Sequence, residues 1–168
     1  MLIRHENLID NPDLERNAIY SVVATAFGRE SEARLVNELR SSGAAVLSLV
    51  AEVEHKIVAH IMFSRAYVQD IPILALAPVA TLPEYRHKGI ASELIRKGIE
   101  ESYNNKEIII TVLGNEFYKK FGFEESCKVG LFCPYDFPSE NFLTLFLISS
   151  FRNKIQGTVT YPSEFDRL

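Results

Sequence analysis

The chain has no tryptophan, only two cysteines and two methionines, and no long hydrophobic run. Each scarcity removes a class of protein. Cys127 and Cys133 are separated by five residues, a spacing that fits neither a zinc knuckle nor a CxxC redox pair, so free thiols are expected. The longest apolar stretch, Ile71 to Leu82, is about twelve residues and contains Pro72 and Pro78, short of the roughly 20 that cross a bilayer. The four histidines, His5, His55, His60 and His87, are scattered without an HExxH arrangement, so no catalytic metal is expected. The formal net charge of -4 leaves no broad cationic surface, which disfavours nucleic acid as the main partner. Met1 to Asn7 carries Arg4, His5 and Glu6 with no apolar core behind them. It does not read as a secretion signal, and a cytoplasmic location is the expectation.

What is present suffices for a core. With 168 residues, 47% of them hydrophobic, a single globular domain over residues 1–168 is expected. Leu2 to Glu6 alternates as a first strand. The turn cluster Asp10 to Asp13 then leads into helical spacing at Leu14, Ala18, Ile19, Val22, Val23 and Ala26. A second helix is predicted from about Ser31 to Arg40. Val46 to Val53 and Ile57 to Ser64 read as a hairpin joined by Glu54, His55 and Lys56. Ile71 to Leu82 is the next strand, although Pro78 inside it cannot donate to a ladder, so a bulge or broken pairing is expected there. A helix from about Ile90 to Tyr103, a strand from Glu107 to Leu113 and a short aromatic helix closed by Gly122 follow. Phe142 to Ile148 is a strong strand, and Gly157 to Tyr161 adds a short one.

The run Arg86, His87, Lys88, Gly89, Ile90, Ala91 follows an apolar strand and opens an amphipathic helix. A glycine lets main chain approach a ligand, and the first amides of a helix are unpaired donors for an anion. Neither the Walker pattern GxxxxGK[ST] nor the dinucleotide fingerprint GxGxxG is present, so the commonest phosphate-cradling readings fall away. There is also no GxSxG elbow and no cysteine and histidine in motif spacing, which argues against a covalent enzyme intermediate.

The spacing RxxGxA within LAPVATLPEYRHKGIASEL, Leu76 to Leu94, resembles the acyl-CoA-binding motif of the GNAT superfamily of N-acetyltransferases. The block LGNEFYKKFGF, Leu113 to Phe123, is similar to the second half of that signature. Segments such as CPYDFPSENFLTL and GTVTYPSEFD look like the YhbS-like subgroup of predicted acyltransferases. The resemblance implies an α/β fold: one GNAT-type domain with a mixed, mostly antiparallel central sheet of about six or seven strands, two of them splayed, flanked by about four helices. It also implies acetyl-CoA as the acyl-donor cosubstrate and direct attack of an amine on the thioester in a ternary complex.

By the same resemblance, the backbone of Val79, Ala80 and Thr81 holds the pantetheine arm and polarises the thioester carbonyl. Arg86, His87, Lys88, Gly89, Ile90, Ala91 and Ser92 hold the pyrophosphate, largely through their amides, with Gly89 and Ala91 small because larger side chains would collide with it. Tyr118 stands where many relatives place the general acid, and a phenol of pKa about 10 is protonated at neutral pH. Asn115 is either a cofactor contact or a cap. For the proton of the amine, His60 is the leading candidate because it interrupts an apolar strand and titrates near pH 6.5, with Glu52 and Glu32 as rivals. The acceptor, a small-molecule or peptide or protein amine, is expected between the Phe27 to Arg34 region and the Cys133 to Phe142 loop, where Tyr135, Asp136 and Glu140 offer polar contacts. A monomer or homodimer is expected. The alternatives are a longer acyl or carrier-protein donor, and a non-catalytic acyl-CoA-binding module.

Overall fold

The computed structural model describes all residues, Met1–Leu168. In chain order the elements are β1 (Leu2–His5), α1 (Pro12–Phe27), α2 (Ser31–Ser42), β2 (Ala45–Val53), β3 (Lys56–Val68), β4 (Ile71–Thr81), α3 (Ile90–Asn104), β5 (Ile109–Leu113), β6 (Glu124–Glu125), β7 (Leu131–Phe132), β8 (Phe142–Phe146) and β9 (Gly157–Thr160). The strands hydrogen-bond in the order β1-β2-β3-β4-β5-β8-β6, with β9 on β3 and β7 on β9. Pairing is mostly antiparallel; β4 with β5 and β7 with β9 are parallel. The sheet has nine strands, more than the six or seven expected, because the two-residue β6 and β7 are too short to carry a periodicity. The expected fourth helix is a 3-10 segment, Glu116–Phe121. No helix is long and apolar enough to cross a membrane.

The chain divides into two compact units. The first comprises Met1–Ser64, Pro78–Gly98 and Pro162–Leu168. Its helices end where glycine supplies a left-handed residue: Gly28 (φ 69) after α1 and Gly43 (φ 80) after α2. The β2–β3 turn is tighter than expected, two residues, Glu54 and His55, both at positive φ. Ile19, Val22, Val23, Leu35, Val36 and Leu39 bury the facing sides of α1 and α2. Arg40 of α2 reaches Glu6 at 2.6 Å, and Arg4 of β1 bridges Glu15 at 2.6 Å and Glu52 at 3.0 Å. Helix α3 lies close on β3. A Cβ at Gly98 would come within 2.5 Å of Cζ of the fully buried Phe63.

The second unit comprises Arg65–Ala77 and Ile99–Tyr161. β4 pairs with β5 only over Leu74–Leu76, opposite Ile110–Val112. The ladder to β5 stops two residues before Pro78. β5 pairs with β8 along its whole length, Ile109 opposite Phe146 to Leu113 opposite Phe142. Ala66, Val68, Ile73, Ile109, Leu131, Phe142 and Val159 are among its buried core. Arg65 clamps Glu107 through two hydrogen bonds of 2.7 Å. Ser126 and Thr144 share a buried hydrogen bond at 2.6 Å.

His60, in the middle of β3, is wholly buried. Its Nε2 lies 2.8 Å from Ser48 Oγ, and its Nδ1 has no partner. The tautomer that leaves least unsatisfied carries its hydrogen on Nε2 and donates to Ser48. Burial, helped by the charge of Arg40, pushes its pKa down to about 3. The base role expected for His60 does not fit this environment. A ring sealed from solvent cannot meet an incoming amine, and an imidazole of such low pKa takes up no proton near neutrality.

Two measurements probe this packing. Gly98→Ala drives a methyl into an immobile ring and should lower unfolding free energy by about 1–3 kcal/mol in urea titration. For His60, the unfolded chain binds a proton below about pH 6.5 while the folded chain does not until about pH 3, so stability falls as pH drops through that interval. From about pH 6.5 to about pH 5 the loss should be about 2 kcal/mol. The difference in urea midpoints between wild type and His60→Gln across this range isolates it.

Candidate active site

The candidate cofactor site is the passage from β4 to α3, all within the first unit. Leu82 N–H donates to Val58 O at 2.9 Å, which turns its backbone groups toward β3. Alternation along an extended strand then points those of Val79 and Thr81 away from β3, and those of Ala80 toward it. The backbone role expected of residues 79 to 81 is thereby narrowed. Val79 and the N–H of Thr81 can serve a ligand, the Thr81 carbonyl being taken by Arg86 Nε at 3.3 Å; the groups of Ala80 belong to the sheet. Thr81 Oγ1 is buried without a hydrogen-bond partner.

After Leu82 the chain makes a 3-10 turn at Pro83–Tyr85 and then two left-handed residues, His87 (φ 59) and Gly89 (φ 80). Such turns aim successive N–H groups into one concavity, a nest for anions. Glu93 N–H donates to Gly89 O at 3.0 Å, the first helical bond of α3. The amides of Ile90, Ala91 and Ser92 precede it and have no intrahelical partner. These donors sit at the positive end of the helix dipole. His87, Lys88 and Gly89 are exposed, Ala91 is half-buried, and Ile90 and Ser92 are buried. A Cβ on Gly89 would meet nothing within 4 Å, so what requires glycine in this turn is its conformation. Lys88 Nζ lies 5.1 Å from the centroid of the Tyr85 ring.

The side chain of Arg86 is occupied within the protein. Its amide donates to Pro83 O at 3.2 Å. Its Nη2 donates to Ala26 O at 2.6 Å and its Nε to Thr81 O at 3.3 Å, so the guanidinium is committed to main chain.

Tyr118, the candidate acid, lies in the second unit, on the 3-10 segment after β5. Its ring packs edge-on against Phe117 and Phe123, with centroids 5.3 and 6.0 Å away. Gly114 admits that ring, since a Cβ there would fall 2.7 Å from Tyr118 Cδ2 and closer to Cε2. Burial pushes the phenol pKa up to about 12, and no protein group bonds the hydroxyl. Asn115 is a cap: its Oδ1 accepts from Phe117 N–H at 2.9 Å.

The rival carboxylates are engaged. Glu32 is buried, and although burial pulls its pKa up, hydrogen bonds from Arg29 and Ser31 outweigh it and hold the carboxyl below its usual range. Glu52 accepts from Arg4 at 3.0 Å. Of the residues expected to wall the acceptor, Phe27 is exposed in the first unit. In the second unit Tyr135 is half-buried with its ring 5.4 Å from that of Tyr161, while Asp136 and Glu140 are exposed. Sequence reasoning missed Gly114 as the seat of the phenol and Ala26 as the partner of Arg86.

Comparison with known proteins gives the family. Residues 44–125 match the family described as Acetyltransferase (GNAT) domain. The chain is 30% identical to the Escherichia coli K12 protein called uncharacterized N-acetyltransferase YhbS, over 99% of each. The crystal structure of E. coli YhbS in complex with CoA superposes with a TM-score of 0.91 at 29% identity, covering 99% of this chain and 92% of that one. A GNAT family acetyltransferase from Brucella melitensis, in complex with acetyl-CoA, gives 0.81 at 27% identity, covering 98% and 97%. A turn built to receive an anion, a strand that lets go of its neighbour just before it, and full-length likeness to YhbS lead to one assignment: the chain belongs to the GNAT acetyltransferase family.

Proposed function

We propose that this protein transfers an acetyl group from acetyl-CoA to an amine by direct attack. The observation that carries the reading is the run of unbonded amides at the start of α3 behind the left-handed residues His87 and Gly89. A diphosphate is the group such a nest accommodates. Lys88 adds charge to the same turn. Val79 and the N–H of Thr81 offer outward backbone groups to a chain of amides such as pantetheine, as an added strand would use them. The orphaned Thr81 hydroxyl fits the same polar guest. One of these amides, fixed before the donor arrives, stabilises charge developing on the thioester oxygen.

By the family resemblance, Tyr118 is the residue assigned to the departing sulfur. With a pKa near 12 against about 8.5 for a thiol, complete proton transfer is uphill. The phenol therefore acts as a hydrogen-bond donor that steadies the developing thiolate, and it keeps its proton across the working range of pH. An alkylamine arrives mostly protonated. With His60 sealed and Glu32 and Glu52 bound to arginines, we assign no side chain to that proton; it leaves through solvent.

Acetyl-CoA at 100 times its dissociation constant should stabilise the fold by about 2.7 kcal/mol. In a chain of this size that raises the melting temperature by about 5–10 °C in a thermal scan. An unmoved melting curve at millimolar acetyl-CoA rejects the reading. In thiol-release assays across polyamines, amino acids, aminoglycosides and peptide lysines, Tyr118→Phe should lower kcat about 100-fold with acetyl-CoA affinity unchanged. Because the phenol is protonated to about pH 12, wild-type kcat should show no descending limb from it between about pH 7 and about pH 10. A variant as active as wild type takes the donor role away from Tyr118, and a wild type that binds acetyl-CoA yet releases no thiol with any acceptor favours the non-catalytic module.

A further inference from the structure

The first arginine of RxxGxA does something in this chain that its motif position does not suggest. Helix α1 ends without help of its own: its last turn holds no basic residue, and its carbonyls face the end of the helix without further turns to bond them. The negative end of a helix dipole favours a cation. Arg86, 60 residues further along the chain, supplies one, its Nη2 donating to Ala26 O at 2.6 Å. The same guanidinium donates through Nε to Thr81 O, the last residue of β4. One side chain thus ties the end of α1, the end of β4 and the anion turn together. Two residues beyond Ala26 the chain turns at Gly28, and Arg29 and Ser31 hold Glu32 in the first turn of α2. The α1–α2 connection is therefore fastened at both ends, and Arg86 is the fastening that shares a loop with the cofactor turn.

We propose that Arg86 is a positioning residue, a strap that transmits occupancy of the cofactor turn to the α1–α2 connection, while the turn amides keep the diphosphate as above. This rests on the acetyltransferase reading, since it requires CoA in that turn. Binding that fixes the geometry of residues 86–89 fixes the guanidinium, and through Ala26 O it fixes the carbonyl end of α1. By linkage, whatever orders the α1–α2 connection strengthens CoA binding by the same factor.

The test is hydrogen exchange read by mass spectrometry over residues 24–31, with and without CoA, in wild type, Arg86→Ala and Arg86→Lys. CoA dissociation constants are measured in parallel by calorimetry at low and high salt. In wild type, CoA should slow exchange in this segment at least threefold. In Arg86→Ala the effect should vanish and unliganded exchange should rise, while CoA affinity keeps its salt dependence because the amides still hold the diphosphate. Arg86→Lys, able to reach Ala26 with one donor, should recover part of the protection. If Arg86→Ala keeps the CoA-dependent protection, or if wild type binds CoA and shows none, the strap is wrong and the acetyltransferase reading stands. A CoA affinity that falls tenfold with a flattened salt slope returns Arg86 to the diphosphate and also overturns the strap. If wild type binds no CoA, the acetyltransferase reading fails with it. Should Arg86→Ala fail to fold, Arg86→Gln replaces it in the same comparison.

Discussion

A strand that keeps one neighbour and loses the other governs this structure. β4 bonds β5 over three residue pairs and then releases it, while Leu82 is still held by Val58 of β3. Pro78 sits just past the release. Backbone groups that a sheet would ordinarily consume are left outward at Val79 and Thr81, and unpaired main-chain groups must find a partner or water. The left-handed turn at His87 and Gly89 follows within a few residues and leads into the unpaired amides of α3. A strand edge and a helix start are thereby presented in succession along one stretch of backbone. Amide recognition comes from the first and anion recognition from the second.

Around that stretch, the polar side chains that sequence patterning suggests as bases have been absorbed into structure. Glu52 meets Arg4, and Glu32 meets Arg29 and Ser31. His60 meets Ser48 inside the sheet. The bonds from Arg29 and Ser31 stabilise the charged form of Glu32 and make it a weaker base. The proposed function therefore rests on main-chain amides and on one phenol whose burial keeps it protonated.

Much of this was legible in the sequence because it is local. Apolar spacing located α1, α2 and α3 within a few residues, and Gly28, Gly43 and Gly122 marked turns that need positive φ. Pro78 announced the interrupted pairing. RxxGxA announced the turn because the glycine and the helix start act within six residues. What escaped depends on contacts between distant segments. Nothing near Arg86 in the sequence points to Ala26, and nothing near His60 says whether Ser48 or a substrate will meet its ring. β6 and β7 are two residues each, and their existence depends on β8 and β9 being there to receive them.

Gly114 has a consequence of a different kind. It is needed for its missing side chain, since the space a methyl would take is filled by the ring of Tyr118. The two positions therefore form one evolutionary unit. A lineage that acquires any side chain at 114 must move or discard the phenol, and one that discards the phenol loses the constraint that keeps 114 bare. In an alignment of relatives they should covary, and a bulky residue at the first would mark descendants that have abandoned this donor.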